Sequence, residues 1–250
     1  MDETRPLGRL SDMTTLWTLV CKAHQGPEEG MRVARQRLLA RYDRAVHRYL
    51  AGALRDADTA DELAQEFRLR FLRGDFRKAD PGRGRFRDYV KTALFRLVVQ
   101  YRRRQQKQPR TLGSQAPEPA VTDPSVDAAE EEFFRSWRDA LLAAAWEDLR
   151  HVQEENGPPW YTVLRFRADH PDVPSPQMAE QLTTRLGKPL TAAGVRQLLH
   201  RAREKFADLL LEQVVHSLDR PTAEQLEAEL IELNLYQYCQ PALKRRGLGG

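Results

Sequence analysis

The chain has 250 residues, of which 41% are hydrophobic and 30% charged, and its formal net charge is +4. That length allows one large domain or two small ones, and no apolar run approaches the ~18 residues that a membrane span needs. The acidic start, MDETRPLGRL, lacks the apolar stretch of a secretion signal, and Cys21 and Cys239 have no partner motif, so we expect a cytoplasmic protein with free thiols.

The first predicted elements are a short helix over Thr14–Ala23 and a longer helix over Glu28–Leu54. The stretch DTADELAQEFRLRFLRGDF follows, where Thr59 and Glu62 have the spacing of a capping box and Gly74 is expected to end the helix. The apolar face of this third helix recurs every four residues, at Leu63, Phe67 and Phe71.

A basic helix is predicted after the turn-rich loop Asp80–Phe86. Between Arg83 and Arg110 there are ten basic residues and one acidic residue, Asp88. Its apolar residues have helical spacing: Phe86, Tyr89, Val90, Ala93, Leu94, Leu97, Val98 and Tyr101. Its other faces are expected to carry Arg87, Lys91, Arg96, Arg102, Arg103 and Arg104. A solvated face is one interpretation; the cations interleaved with aromatic rings favour contact with nucleic acid, through phosphates and stacked bases.

A proline-rich stretch, Lys107–Ala128, is predicted to be a flexible linker because it holds four prolines and almost no large apolar residue. The chain beyond it is acidic, with eleven acids against three bases between Glu118 and Glu155. This linker divides the chain into two helical parts. Because no stretch shows the alternating pattern of a strand, the predicted fold class is all-α.

The second part is predicted to open with helices near Glu130–Glu155 and Trp160–Ala168. The stretch SPQMAEQLTTRLG then places Ser175 as N-cap, with Pro176 at the first helical position and Gly187 beyond the end. Thr191 is expected to cap a last helix, AAGVRQLLHRAREKF, whose outer face is basic. Two short helices joined by a tight turn in this order are typical of a helix-turn-helix, although such patterns also arise by chance in helical proteins.

Enzymatic and metal chemistry find no support in the sequence. The six histidines have no metal-ligand spacing, and there is no Cys-x-x-Cys pair, phosphate-binding glycine loop or catalytic constellation. We therefore expect no cofactor, no metal and no enzymatic activity.

The two halves together resemble one known family. The stretches DADTADELAQEFRLRFLRGDF and DPGRGRFRDYVKTALFRLVVQYRRR resemble the second conserved region of sigma-70-family RNA polymerase sigma factors of the extracytoplasmic-function (ECF) type. The stretch MAEQLTTRLGKPLTAAGVRQLLHRAREKFADLL resembles their fourth region. The resemblance implies a bacterial subunit that binds core RNA polymerase and directs DNA-templated transcription initiation at chosen promoters. It divides the chain into a region 2-like domain (1–106), the linker (107–128), a region 4-like helix-turn-helix domain (129–216) and a C-terminal helical extension (217–250).

The resemblance also implies three sets of binding residues. Core polymerase would be bound by Glu62, Gln65 and Glu66. The melted minus-ten element of the promoter would be bound by Arg85, Arg87, Tyr89, Lys91, Arg96, Gln100, Tyr101, Arg103 and Arg104. The minus-thirty-five element would be bound by Val195, Arg196, Gln197, His200, Arg201 and Arg203. An anti-sigma or other regulatory protein is left open as a further partner, and membrane insertion is not expected.

The C-terminal extension allows two interpretations. Its apolar residues lie at helical spacing, at Leu226, Leu230, Leu233 and Tyr236, so it can pack back on the chain. Because it is also acidic, a second hypothesis is that it regulates by docking a partner or by masking a basic DNA-binding face, in which case deleting Asp219–Gly250 would raise DNA affinity. An alternative for the whole chain is a helix-turn-helix transcription regulator that binds duplex DNA without joining RNA polymerase; a helical adaptor with merely solvated basic patches is a weaker one.

Overall fold

The computed structural model describes residues 22–73, 85–107, 126–218 and 221–248. Within these ranges the protein is all-helical, as the sequence predicts, and contains no strand. Residues 22–24 are helical, while the rest of the predicted helix Thr14–Ala23 lies outside the described residues. The longer helices are α1 (Glu28–Leu54), α2 (Ala57–Arg73), α3 (Phe86–Lys107), α4 (Val126–Glu154), α5 (Trp160–Asp169), α6 (Ser175–Leu186), α7 (Ala192–His216), α8 (Ala223–Glu232) and α9 (Tyr236–Arg245).

The chain forms two compact units, and the division between them differs from the predicted domain boundary. Among the described residues, those up to Ala140, with 216–218 and Pro221, belong to the first unit, whereas residues 141–215 and those from Thr222 to 248 belong to the second. The boundary therefore falls inside α4 and not in the predicted linker 107–128. Most of that linker, 108–125, lies outside the described residues, and its predicted last residues already belong to α4.

Aromatic packing explains why the first half of α4 belongs to the first unit. The Trp137 ring stacks on Tyr42 of α1 with 4.8 Å between ring centroids, and Phe133 meets Tyr49 edge-on at 5.7 Å. Trp137 is 1% exposed. Rings of this size bury enough apolar surface to dominate the packing of a small core. In the sequence, the predicted linker separates Phe133 and Trp137 from α1. The core that they share with Tyr42 and Tyr49 therefore could not be inferred from spacing alone.

Helix α2 begins earlier than the proposed capping box. The backbone carbonyl of Asp56 accepts the N–H of Ala60 at 3.0 Å, which makes Asp56 the residue that precedes the first turn. The hydroxyl of Thr59 donates to the Asp56 carboxylate, and this bond, with backbone N–H groups of Asp58 and Thr59, lowers the pKa of Asp56. Thr59 is buried within the helix, so the Thr59–Glu62 capping box is wrong, and Asp56 supplies the cap.

The second unit is built around the C-terminal half of α7. Residues Leu209, Leu210, Leu211, Val214 and Val215 are all buried, so this part of the helix is apolar on nearly every side. The side-chain amide of Gln213 donates to the Asp148 carboxylate of α4 at 2.5 Å. That bond gives a buried polar group a partner inside an otherwise apolar core.

The helix pair α6–α7 forms with most of the predicted boundary signals. Gly187 has φ 65° just after α6, a left-handed conformation that glycine adopts without strain. The Thr191 hydroxyl accepts the N–H of Gly194 at 3.1 Å, which confirms the predicted cap of α7. Ser175 is itself the first helical residue of α6, and no side chain caps that start, so its predicted N-cap role is wrong by one position.

The C-terminal extension packs back as helices α8 and α9 within the second unit, as the first of its two interpretations predicts. Leu226, Leu230 and Leu233 are buried, and Tyr236 is half-buried. Cys239 is a free, buried cysteine, and burial raises the pKa of its thiol to about 12. Among the helices of the described ranges, none is both long and apolar enough to cross a lipid bilayer.

Candidate nucleic-acid and polymerase interface

The exposed face of α2 carries two of the residues that were predicted to bind polymerase. Glu62 and Gln65 are exposed, and the same face continues at three- and four-residue steps through Leu69 and Leu72. These leucines are 44% and 41% exposed, so they add apolar surface to this face. They were not among the predicted contacts, although their spacing from Glu62 and Gln65 places them on the same helix face.

Glu66, the third predicted polymerase residue, is instead tied to the basic helix. Arg70 donates through Nη2 to Glu66 Oε1 at 2.5 Å and to Gln100 Oε1 at 3.0 Å. Arg104 Nη2 lies 3.8 Å from the same Glu66 oxygen. Residues that were predicted to serve two different partners, polymerase and DNA, thus meet in one cluster between α2 and α3.

The start of α3 is packed against α4, and this overturns one expectation of the sequence analysis. Arg87 is 1% exposed, and its guanidinium carbon lies 4.8 Å from the centre of the Phe134 ring. It is therefore not on an outer face, and its burial does not support a contact with DNA. The reason is that α4 brings an aromatic ring to this position from beyond the linker, and a guanidinium packs well over such a ring.

Two further predicted DNA contacts near the start of α3 are engaged within the protein. Lys91 Nζ donates to Glu130 Oε1 of α4 at 2.5 Å and lies 5.2 Å from the Phe134 ring centre. Arg85 Nε donates to Asp88 Oδ2 at 3.1 Å. Both side chains are half-buried, so either would have to exchange a carboxylate partner for a phosphate.

The aromatic residues of α3 are also partly enclosed. Tyr89 and Tyr101 are half-buried. The Tyr101 hydroxyl accepts a hydrogen bond from Gln105 at 2.7 Å and lies 3.3 Å from the Thr59 hydroxyl of α2. Its ring thus helps to join α2 and α3, in addition to any stacking role.

The middle and end of α3 hold the exposed cations. Arg96, Arg103 and Arg104 are exposed, as is Gln100. Within the described part of the chain, Arg96 and Arg103 form no ion pair. The exposed part of the predicted set on α3 is therefore smaller than the nine residues, and it lies toward the C-terminal end of the helix.

The start of α7 presents a different arrangement, because nearly all its predicted contacts are exposed. Arg196, Gln197, His200, Arg201 and Arg203 point away from the core. Val195 is the exception: it is 0% exposed and belongs to the core, so a direct base contact from Val195 is wrong. In an amphipathic helix the inward residues recur every three or four positions, and here the inward series is Val195, Leu199 and Ala202.

The turn before α7 adds cations that the sequence analysis did not select. Arg185 in the last turn of α6 and Lys188 just after it are both exposed. They flank the left-handed Gly187, so the turn and the start of α7 are basic together. In the described residues, the carboxylate within ion-pair distance of these predicted contacts is that of Glu204, with Oε1 3.9 Å from His200 Nε2.

No group of three or more His, Cys, Asp or Glu side chains that could hold a metal ion occurs in the described ranges. The two surfaces present cations, amides, the Glu62 carboxylate and exposed apolar groups. Such groups can bind phosphates, base edges and protein surfaces.

One comparison with known proteins gives a match, and it falls on the first unit. The family model for sigma-70 region 2 matches residues 38–108, which run from within α1 through α2 and α3. No curated protein and no solved structure was found to match the chain. The matched segment contains the exposed α2 face and the basic helix α3. Over these residues the chain is similar to sigma-70 region 2.

Proposed function

We propose that this protein is a sigma factor of the ECF type, which binds core RNA polymerase and directs transcription initiation at specific promoters. The observation that carries the proposal is the sigma-70 region 2 match over residues 38–108. The rest of the chain is consistent with it, because α6 and α7 have the boundary signals of a helix-turn-helix and present a basic outer face.

The exposed face of α2 is the proposed polymerase-binding surface. It combines Glu62 and Gln65 with the exposed apolar side chains of Leu69 and Leu72. Burial of apolar side chains is the main favourable contribution to most protein association, whereas acidic neighbours favour a basic partner and disfavour wrong ones. This surface suits a basic protein partner with an apolar pocket.

The C-terminal part of α3 is the proposed binding site for the melted minus-ten strand. Arg96, Arg103 and Arg104 are exposed and suited to phosphates, and half-buried Tyr101 adjoins them on the same helix. Cationic grooves with neighbouring aromatic rings are the usual means of holding single-stranded DNA. Arg87 is left out of this proposed site because it is buried.

The start of α7 is the proposed reader of the minus-thirty-five element. Arg196 and Gln197 lie in its first two turns, where a recognition helix contacts base edges in the major groove. Arginine and glutamine can both form paired hydrogen bonds with bases, to guanine and adenine respectively. His200, Arg201 and Arg203 would then hold the flanking phosphates, together with Lys188 from the turn.

The proposal includes no enzymatic activity, no cofactor, a cytoplasmic location and the option of an anti-sigma or other regulatory partner. Each follows from the role of a dissociable polymerase subunit. An anti-sigma partner would compete for one of the two proposed interfaces.

The decisive experiment is co-elution of the purified chain with sigma-free core RNA polymerase on a sizing column. We expect a one-to-one complex, and we expect the double substitution Leu69→Ser with Leu72→Ser to abolish it. Val33→Ser is the matched control, because Val33 is an exposed apolar residue of α1 in the same unit. A control variant that lost polymerase as completely as the double variant would argue against α2 as the binding surface.

The alternative is a helix-turn-helix regulator that binds duplex DNA without polymerase. The exposure of the α7 cations in the isolated chain favours it, because nothing in the described second unit covers them. A chain that bound duplex DNA but never co-eluted with core polymerase would establish this alternative and overturn the sigma-factor proposal.

A further inference from the structure

We propose that the C-terminal extension assists DNA binding by α7, because Arg245 neutralises the acidic residues that follow the DNA-contacting face. This inference rests on the proposed DNA-binding function of α7. It assigns a role to α9, which lies outside the sigma-70 region 2 match and outside the helix-turn-helix.

Arg245 makes three contacts with α7. Its Nη2 donates to the backbone carbonyl of Glu204 at 3.1 Å and to Asp208 Oδ1 at 2.9 Å. Its Nη1 lies 3.5 Å from Glu204 Oε1. One guanidinium therefore bridges two carboxylates that lie one helical turn apart.

The position of Glu204 makes this bridge relevant to DNA. Glu204 comes directly after Arg203, the last predicted DNA contact, and lies 3.9 Å from His200. Its side chain is 39% exposed, so its charge is not hidden from a bound phosphate chain. An unneutralised carboxylate there would repel DNA, since the Debye length at physiological salt is about 8 Å and one helical turn rises only about 5 Å.

The masking hypothesis requires acidic residues of the extension to cover basic residues of α7. The ion pairs that form are the reverse, with basic residues of the extension on acidic residues of α7. The acidic residues of the extension that the structure describes lie on α8, whereas the ion pairs with α7 are made by its basic end, Arg245 and Arg246. Arg246 Nη2 donates to Glu212 Oε1 at 2.7 Å. Arg196, Gln197, Arg201 and Arg203 stay exposed while these pairs are formed. Removing the basic end should therefore lower DNA affinity, not raise it.

Deletion of the whole extension would not test this, because Leu226 and Leu230 belong to the core. Single substitutions are cleaner. We would measure binding of the full chain to a fluorescein-labelled DNA duplex of mixed sequence by anisotropy, at low and at physiological salt. Thermal unfolding of each variant would be recorded in parallel.

Arg245→Ala should weaken duplex binding about two- to threefold at low salt, an effect that shrinks as salt screens the exposed carboxylates. Adding Glu204→Gln to Arg245→Ala should restore the affinity, which loss of tail packing alone would not allow. Arg246→Ala is the matched control: it also removes one tail arginine and one ion pair, but Glu212 lies about 12 Å further along α7 than Glu204. Its duplex affinity should equal that of the unaltered chain.

Three outcomes would overturn the inference. An unchanged affinity of Arg245→Ala would do so, as would failure of Glu204→Gln to restore it. Arg245→Ala and Arg246→Ala could also lose DNA affinity equally, in proportion to their loss of thermal stability. That result would show that Arg245 has a purely structural role. Arg201→Ala separates this inference from the proposed function. If Arg201→Ala weakens duplex binding and Arg245→Ala does not, only the inference fails. If neither variant changes duplex binding, α7 is not a DNA-binding helix and both the inference and the proposed function fail.

Discussion

The sequence predicts basic outer faces for both α3 and α7. In the structure, several cations of α3 are engaged within the protein, whereas those at the start of α7 are exposed. In α3, Arg87 is buried against Phe134, Lys91 is paired with Glu130, and Arg102 donates to the Ala53 carbonyl at the end of α1. In the first three turns of α7, the arginines are exposed and, in the described residues, make no ion pair within the protein.

The difference arises from what each helix packs against. Helix α4 lies along the start of α3 and brings an aromatic ring and a carboxylate from beyond the linker. The start of α7 has only its apolar side in contact with the core, and the other sides are open. The number of cations in a helix therefore does not measure how many of them can reach DNA.

Trp137→Ala should give the largest effect, because it removes the ring that holds α4 against α1. Truncation of a buried tryptophan typically costs about 3–5 kcal/mol in the free energy of unfolding. Urea denaturation would measure the loss. Arg135→Ala is the control, since Arg135 is exposed and pairs only within α4; it should change stability by less than about 0.5 kcal/mol. A small effect of Trp137→Ala would mean that α4 is not part of the first core, and the comparison of α3 with α7 would break.

Arg87→Ala and Arg103→Ala should separate packing from DNA binding within α3. Loss of the buried guanidinium–ring contact should lower the free energy of unfolding by about 2 kcal/mol, whereas Arg103→Ala should leave it unchanged. Binding of single-stranded DNA, measured by anisotropy, should weaken in Arg103→Ala. Arg87→Met, which keeps the aliphatic stem, should recover part of the stability. If Arg87→Ala weakened DNA binding without a loss of stability, Arg87 would be a DNA contact despite its burial.

Arg196→Ala should sharpen the assignment of α7. If Arg196 contacts a base, binding to a selected duplex should weaken by about 1–3 kcal/mol, and specificity should relax at one base pair. Binding to single-base variants of that duplex would locate the position. A uniform loss across all variants, with a salt slope reduced by about 1, would identify a phosphate contact instead.

Asp56→Asn should give the smallest effect and concerns the start of α2. The pKa of Asp56 is lowered by the Thr59 hydroxyl and by backbone N–H groups, so the folded state favours the charged form. The stability that this carboxylate contributes is complete above its unfolded-state pKa of about 3.9 and is lost as pH falls through the lower folded-state value. Asparagine caps helices about as well but does not titrate, so the variant should lose less stability on acidification.

Thermal midpoints of both forms across the acid range would test this. Glu224→Gln offers the matching comparison in the second unit, because the Thr222 hydroxyl lowers the pKa of Glu224 near the start of α8. Identical acid losses in Asp56→Asn and the unaltered chain would show that Asp56 does not cap α2.

The elements themselves were largely predictable. The predicted bounds of α1 agree with the structure, α5 differs by one residue at its end, and the cap at Thr191 is confirmed. These features depend on local periodicity and on turn residues, which the sequence displays directly. The start of α2 was missed because Asp56 and Thr59 are both residue types that cap helices, and the pattern alone could not rank them.

The sequence by itself determined the all-helical class, the two basic helices and the residues of the α7 outer face, because each depends on spacing within one segment. Only the tertiary structure decided that the first half of α4 joins the first unit, that Arg87 is buried and that Arg245 pairs with Glu204. Each of these contacts joins residues far apart in the chain. Which distant side chain reaches a given cation depends on the packing of whole helices, and helical periodicity carries no information about it.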